Sequence, residues 1–320
     1  MDGIQVACAA DHRYAAYCAA MLHSLLEVHA GEPLTVHFLH GEEFSAGDLE
    51  KLRGMVQARP NAVFRGHRIG AERLAAVPLT AYFGPAMWYR LFLPELLPDT
   101  PRVLYLDVDT LVVDRLDQLW NTPLDGKCVA AAESVVQPAL RPRVAELELP
   151  QGSGYFNSGV LLFNLDRMRR TGAMPRLIEL ARSRAGQWLW PDQHLLNVVL
   201  GHERVPLHPR WNCLNAIWFW RALADEVYGR AAAAEARARP AILHFEGPGM
   251  AKPWHYLCKH PARGRWRAQL RKTPFAPPPL LGRNAWAVLI RPLPAALIPY
   301  MLRVEARLRR TVLKPVPDQN

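Results

Sequence analysis

The sequence predicts an α/β fold, a mostly parallel sheet covered by helices, and three observations carry that expectation. Apolar, β-favouring runs alternate with helical stretches through the N-terminal part of the chain. The run at residues 103–106, Val-Leu-Tyr-Leu, is apolar throughout, as a strand buried on both faces must be. It ends on Asp107, Val108 and Asp109, and ligands of such sheets gather where strands end.

Residues 4–10 read as the first strand and 14–30 as the first helix. The polar turn between them, Asp11-His12-Arg13-Tyr14, lies where α/β proteins bind nucleotides, although Asp11 is equally suited to capping the helix. A strand at 34–39, a helix at 46–58 and a strand at 62–67 continue the alternation. Trp88-Tyr89-Arg90-Leu91 then precedes the aspartate strand, with an arginine able to fork onto phosphate or carboxylate, or simply to lie on the surface. Further short strands are expected at 128–132, 159–163 and 241–244. Small polar residues in Tyr155-Phe156-Asn157-Ser158-Gly159 run directly into one of them, which suggests backbone passing close to a ligand. Trp190-Pro191-Asp192-Gln193-His194 opens a helix reaching about residue 200, where Asp192 suits the first turn. His244-Phe245-Glu246-Gly247 ends the last strand, and Lys252-Pro253-Trp254 follows.

Two carboxylates two residues apart on an extended segment project to the same side. Their repulsion is relieved by a divalent cation; a pair of turn-forming aspartates is the alternative. A strand-end histidine such as His244 is commonly structural; paired with the two carboxylates it could instead complete an O,O,N donor set suited to Mn2+, with Mg2+ as the alternative, and Lys252 could then neutralise phosphate.

The 320 residues are 50% hydrophobic and 21% charged, which excludes a disordered chain. Five scattered cysteines without a C-x-x-C argue for reduced thiols and against a zinc site. Met1-Asp2-Gly3 leads straight into a strand, so no signal peptide is expected and the cytoplasm is the expected compartment. The net charge of +10 is concentrated after residue 250, where 14 Lys/Arg face two Asp/Glu. The longest uncharged run there, 292–302, is 11 residues with three prolines. That is far short of the ~20 apolar residues of a membrane span. Met301, Val304, Leu308 and Val312 fall on one helical face and Arg303, Arg307 and Arg310 on another. Residues 270–320 are therefore expected to lie on an anionic membrane surface, peripheral to the inner face of the cell membrane. Nucleic acid is not an expected partner, since the body carries no basic stripe and no helix-turn-helix, RRM or KH pattern.

Taken in order, these segments resemble the family 8 glycosyltransferases, the group that includes bacterial lipopolysaccharide galactosyl- and glucosyltransferases. The resemblance covers residues 3–260, through the Asp-x-Asp context, Phe-Asn-Ser-Gly-Val, Asp-Gln and His-x-x-Gly with Lys-Pro-Trp. It implies a GT-A nucleotide-sugar-binding domain at 1–260 and a basic, Pro/Trp-rich appendage at 261–320. It further implies Mn2+-dependent, retaining transfer of a hexose, galactose or glucose, from a UDP-sugar to a glycan or glycolipid acceptor such as lipopolysaccharide. Asp107, Asp109 and His244 would hold the metal. The implied nucleotide-sugar set is Asp11, Arg13, Arg90, Asp107, Val108, Asp109, Asn157, Ser158, Gly247 and Lys252. The implied catalytic set is Arg90, Asn157, Asp192 and Gln193, with Gln193 near the anomeric centre. Two positions depart from the family pattern: Arg13 stands where asparagine is frequent, and the loop from His244 to Lys252 is two residues longer. Gln193 is a poor nucleophile, so retention points to same-face substitution assisted by the leaving group rather than a covalent intermediate on Asp192.

Two other classes fit parts of the sequence. Asp107-Val108-Asp109-Thr110-Leu111 also matches the first motif of haloacid dehalogenase-type phosphatases, where the first aspartate is a nucleophile and the second an acid/base, but the downstream acidic pair Asp225-Glu226 sits in a helical setting unsuited to binding Mg2+. A non-catalytic nucleotide-sugar-binding protein at a membrane surface is the other; the presence of all three expected metal ligands argues against it.

Overall fold

The computed structural model describes residues 3–78, 84–184 and 190–312. The strands are β1 (Ile4–Ala9), β2 (Leu34–Gly41), β3 (Ala62–Ile69), β4 (Arg102–Leu106), β5 (Thr110–Val112), β6 (Val129–Glu133), β7 (Phe156–Asn164), β8 (Arg204–Leu207), β9 (Cys213–Leu214) and β10 (Ile242–His244). Seven form the central sheet in the order β3-β2-β1-β4-β7-β6-β8. The first four run parallel, as the alternation with helices requires. β7 breaks the pattern by pairing antiparallel with both β4 and β6, while β8 is parallel to β6.

β4 is covered on both sides. Val103 and Tyr105 belong to one apolar core and Leu104 and Leu106 to the other, following the two-residue alternation of a strand. The helix Ala15–Val28 lies in the larger core with its first twelve residues buried, and the shorter helix Ala46–Gln57 is capped by Ser45 Oγ accepting from Asp48 N. The five cysteines are buried and free.

The last expected strand, at 241–244, does not join the central sheet. It forms β10 in a second, three-stranded sheet, antiparallel to β5 and parallel to β9. The chain leaves β4, makes a turn through Asp107-Val108-Asp109 and enters β5, where Thr110 pairs with His244 of β10. The aspartates thus sit at the junction of two sheets.

After residue 260 the helix Arg263–Arg271 continues the main body. Trp266, Leu270 and Phe275 belong to the larger core, and Gln269 binds His23 Nδ1 and Glu27 on the first helix. Beyond it, the helices Ala285–Ile290 and Ile298–Val312 gather around a small cluster of Leu257, Ala287, Ile290 and Ile298. Met301 and Leu302 pack against that cluster, whereas Leu289, Leu297 and Tyr300 are exposed. Of the amphipathic positions read from the sequence, the side chains of Arg307, Leu308, Arg310 and Val312 lie outside the described residues. Among the described residues no helix is long and apolar enough to cross a membrane.

Candidate active site

The aspartates converge through a turn, not through the extended geometry read from their spacing. Asp107 O accepts from Thr110 N at 3.1 Å and from Thr110 Oγ1 at 2.7 Å, which closes the chain on itself between the two carboxylates. Val108 at its tip packs partly buried against the larger core. Pairing of β5 with β10 then brings in His244, and ligand atoms of Asp107, Asp109 and His244 lie within 4.8 Å of one another.

The space between them depends on a glycine. An ideal Cβ on Gly159 would stand 2.2 Å from His244 Cε1, 2.9 Å from His244 Nε2 and 2.8 Å from Asp107 Oδ2. Gly159 also accepts Asp107 N at 2.8 Å, so backbone holds the first aspartate where a side chain would displace it. A cradle that any side chain would fill, lined by two carboxylates and an imidazole, fits a hard to borderline divalent cation.

Each carboxylate has its own protein cation. Arg90, 5% exposed, donates through Nη2 to Asp107 Oδ1 at 2.8 Å and through Nη1 to the Ser158 carbonyl, with its guanidinium 4.3 Å from the Tyr105 ring centre. Burial opposes its charge, but Asp107, Tyr105 and Asp192 outweigh burial and raise its pKa. Lys252 Nζ donates to Asp109 Oδ2, and His244 Nε2 lies 3.3 Å from Asp109 Oδ1. Burial works against the Asp109 carboxylate, yet Lys252 and His244 hold its pKa well below the usual carboxylate range. Asp109 in turn raises His244 against the opposing effect of its burial.

The Lys252 arm is anchored by aromatics. Trp254 stacks on Tyr17 at 4.1 Å with ring planes 5° apart, and Tyr14 meets it edge-on at 5.9 Å. Gly247 has φ +95°, the left-handed region glycine favours, and makes the turn between His244 and this arm. The other end of the arm, Tyr14, belongs to the Asp11 turn. Asp11 Oδ1 caps it by accepting Arg13 N at 2.9 Å, and Asp11 Oδ2 accepts Arg13 Nη2 at 2.7 Å. Asp11 thus caps the short turn His12–Tyr14 that leads into the first helix rather than the helix itself, and it lies past the end of β1, the strand beside β4.

On the far side of the aspartates, the helix Pro191–Leu200 starts beneath β7. Asp192 Oδ2 is 3.5 Å from Arg90 Nη2 and 3.4 Å from Ser158 Oγ, and burial raises its pKa despite Arg90. The Gln193 amide oxygen is saturated: Oε1 accepts Ser158 N and Asn157 Nδ2, each at 3.1 Å, while Nε2 donates to Tyr155 Oη at 2.8 Å. Asn157 Oδ1 accepts Gly159 N at 3.0 Å and Asn212 Nδ2 at 2.8 Å.

Asn212 was not anticipated. It is fully buried at the end of the turn before β9, and its Oδ1 is 2.8 Å from His244 Nδ1. Glu246 was seen only as a neighbour of His244; its carboxylate accepts Asn215 N, and burial raises its pKa.

The model of glycosyl transferase family 8 matches residues 5–258. The chain belongs to that family. This sets aside the phosphatase reading of Asp107-Val108-Asp109. Relatives include general stress protein A of Bacillus subtilis strain 168, 30% identical over 58% of this chain and 65% of that one. The lipopolysaccharide 1,2-glucosyltransferase of Escherichia coli K12 is 28% identical over 65% of this chain and 61% of its own. These two matches span just under two thirds of each relative's length. The lipopolysaccharide 1,3-galactosyltransferase of Salmonella typhimurium LT2 is 23% identical over 81% of this chain and 75% of its own. Among solved structures, an active-site mutant of LgtC superposes with a TM-score of 0.72 at 26% identity, covering 86% of this chain and 98% of LgtC. The galactosyltransferase LgtC in complex with donor and acceptor sugar analogues gives 0.69 at 25% identity. The fold is accordingly the GT-A type.

Proposed function

We propose that this chain is a glycosyltransferase that moves a hexose, galactose or glucose, from a UDP-sugar to a glycan or glycolipid acceptor such as lipopolysaccharide, with retention and with Mn2+ at Asp107, Asp109 and His244. The observation that carries the reading is the convergence of those three ligand atoms at the junction of the two sheets, across a cradle kept open by Gly159. A divalent cation bound there would supply Lewis-acid stabilisation of charge on the departing diphosphate.

The chain's own residues divide the remaining work. Lys252, on an arm anchored by Trp254, adds a fixed positive charge on the leaving-group side. The Asp11–Arg13 pair would meet the base as a unit, an arginine-backed carboxylate rather than a lone one, which accounts for the departure at position 13. Arg90 braces Asp107 and Asp192 and, being buried and fully engaged, orients the donor sugar's surroundings rather than moving. Gln193 presents no free lone pair suited to attack, because its oxygen already accepts two N–H groups. That supports same-face substitution over a covalent intermediate; a trapped glycosyl adduct on Asp192 would overturn it. Residues after Phe275, with exposed Leu289, Leu297 and Tyr300 beside Arg291 and Arg303, would rest on an anionic membrane from the cytoplasmic side.

A thermal-shift and hydrolysis screen of UDP-sugars with and without Mn2+ tests the reading. One UDP-hexose should raise Tm only when the metal is present, since a ligand that binds the folded state alone stabilises it by mass action. Failure of every UDP-sugar to bind or hydrolyse would sink it.

A further inference from the structure

The amides around Gln193 form a hydrogen-bond chain that runs in one direction and ends on the metal-ligand histidine. Its direction is set by two backbone groups that can only donate. Ser158 N donates to Gln193 Oε1, and Gly159 N donates to Asn157 Oδ1. Those contacts fix which end of each amide is oxygen, an assignment that geometry without a donor-only partner leaves open. Asn157 Nδ2 must then give its hydrogen to Gln193 Oε1, and Asn157 Oδ1 must receive Asn212 Nδ2. With its nitrogen committed, Asn212 turns Oδ1 to His244, 2.8 Å from Nδ1, so Nδ1 carries the proton. The opposite end agrees: Gln193 Nε2 donates to the Tyr155 hydroxyl, whose own hydrogen is left for His194 Nδ1 at 2.7 Å. Asn157, Gln193, Tyr155 and Asn212 are all buried, so reversing any link would set donor against donor or oxygen against oxygen without water to relieve it.

We infer that Asn212 is a positioning residue for the metal site, holding His244 as the Nδ1–H tautomer with Nε2 toward the aspartates and tying that choice to the Asn157–Gln193 amides. The inference rests on the proposed metal reading. A ligating imidazole needs one ring nitrogen protonated on a fixed acceptor and the other presented as a lone pair. Here the acceptor is oriented by the backbone of Ser158 and Gly159, so the residues beside the proposed sugar site and the metal ligand are set by one network.

Three substitutions separate the two halves of this role. Asn212→Asp keeps an acceptor for the Nδ1 proton but has no N–H for Asn157; Asn212→Leu keeps the volume and supplies neither, and Asn212→Ser is a milder loss of both. Mn2+ affinity is measured by calorimetry in saturating UDP, alongside donor KM, kcat and Tm. The aspartate variant should bind Mn2+ within about three-fold of wild type while kcat falls about ten-fold at little-changed KM, and leucine and serine should weaken Mn2+ by about 10–100-fold. Mn2+ affinity at wild-type level in the leucine and serine variants would overturn the inference, as would equal losses in all three that track Tm. If wild-type protein with UDP binds no Mn2+, the metal reading fails and takes the inference with it. Binding by wild type with no split among the variants removes the inference alone.

Discussion

Lys252 Nζ donates to Oδ2 of Asp109, the carboxylate whose Oδ1 lies 3.3 Å from His244 Nε2. A lysine and the proposed divalent cation would therefore be rivals for one aspartate. Arg90 cannot play the same part at Asp107, because it is buried and bound to the Ser158 carbonyl as well. Lys252→Met should lower stability by about 1–3 kcal/mol, since it leaves the buried Asp109 charge short of a partner. Added Mn2+ should then raise the variant's Tm more than that of wild type, while UDP-sugar turnover falls. Equal Mn2+ stabilisation of the two proteins would show that the lysine does not compete.

Gly159→Ala tests the cradle from the other side. The new methyl would overlap the His244 ring and crowd Asp107, and Asn212 behind the ring leaves it no easy retreat. Overpacking of this kind costs about 1–3 kcal/mol. The expected outcome is a folded protein with Mn2+ affinity reduced ten-fold or more, read by calorimetry in the presence of UDP. Gly54→Ala is the control: nothing lies within 4 Å of its Cβ, and it sits inside the helix Ala46–Gln57. It should stabilise by about 0.5–1 kcal/mol with metal binding unchanged.

The contrast between these sites shows what a sequence exposes and what it hides. β4 and its aspartates were legible because burial on both faces demands an unbroken apolar run, and two acids at its end have no packing reason to be there. The direction of β7 was not legible, since a strand buried on both faces has the same composition whichever way it runs. β9 contains two residues, too few for any period to emerge, and the three-residue β10, though legible as an apolar run, carries no mark of which sheet it joins, so the second sheet stayed hidden. Asn212 left no signal at all: its partners are Asn157 and His244, and hydrogen-bond chains between distant side chains have no spacing rule.

A third prediction concerns acid sensitivity away from the active site. His37 is buried on β2 between neighbours in β1 and β3, with Nδ1 3.1 Å from His67 Nε2 and Nε2 3.0 Å from Gln5 Oε1. Burial, with His67 and Arg65, pushes its pKa down from 6.5 to about 3. A histidine depressed in the folded state contributes stability that is present above pH 6.5 and is lost as pH falls from there toward 3. Within that window the loss is about 1.4 kcal/mol per pH unit for one such group. In His37→Gln the deficit relative to wild type should therefore shrink on going from pH 7 to pH 4 in chemical-denaturation experiments. Parallel stability–pH curves for the two proteins would refute the assignment.

The last prediction concerns the appendage. Leu289 and Tyr300 are 67% and 61% exposed, well above what packing onto the small Leu257–Ile290–Ile298 cluster would leave, and Leu297 stands between them in sequence. Arg291 and Arg303 flank these side chains along the chain, which pairs apolar surface with positive charge as interfacial segments do. Each basic residue near an anionic leaflet contributes about 1 kcal/mol, so charge alone would give binding that salt abolishes. Apolar insertion would leave a salt-resistant remainder. Leu289→Glu combined with Leu297→Glu should remove that remainder in sedimentation with phosphatidylglycerol vesicles at 0.5 M salt, without lowering Tm, because both positions are solvent-facing. Arg291→Ala with Arg303→Ala should instead weaken binding mainly at low salt. Vesicle binding by the double glutamate variant equal to wild type at both salt concentrations would remove the membrane role from this surface.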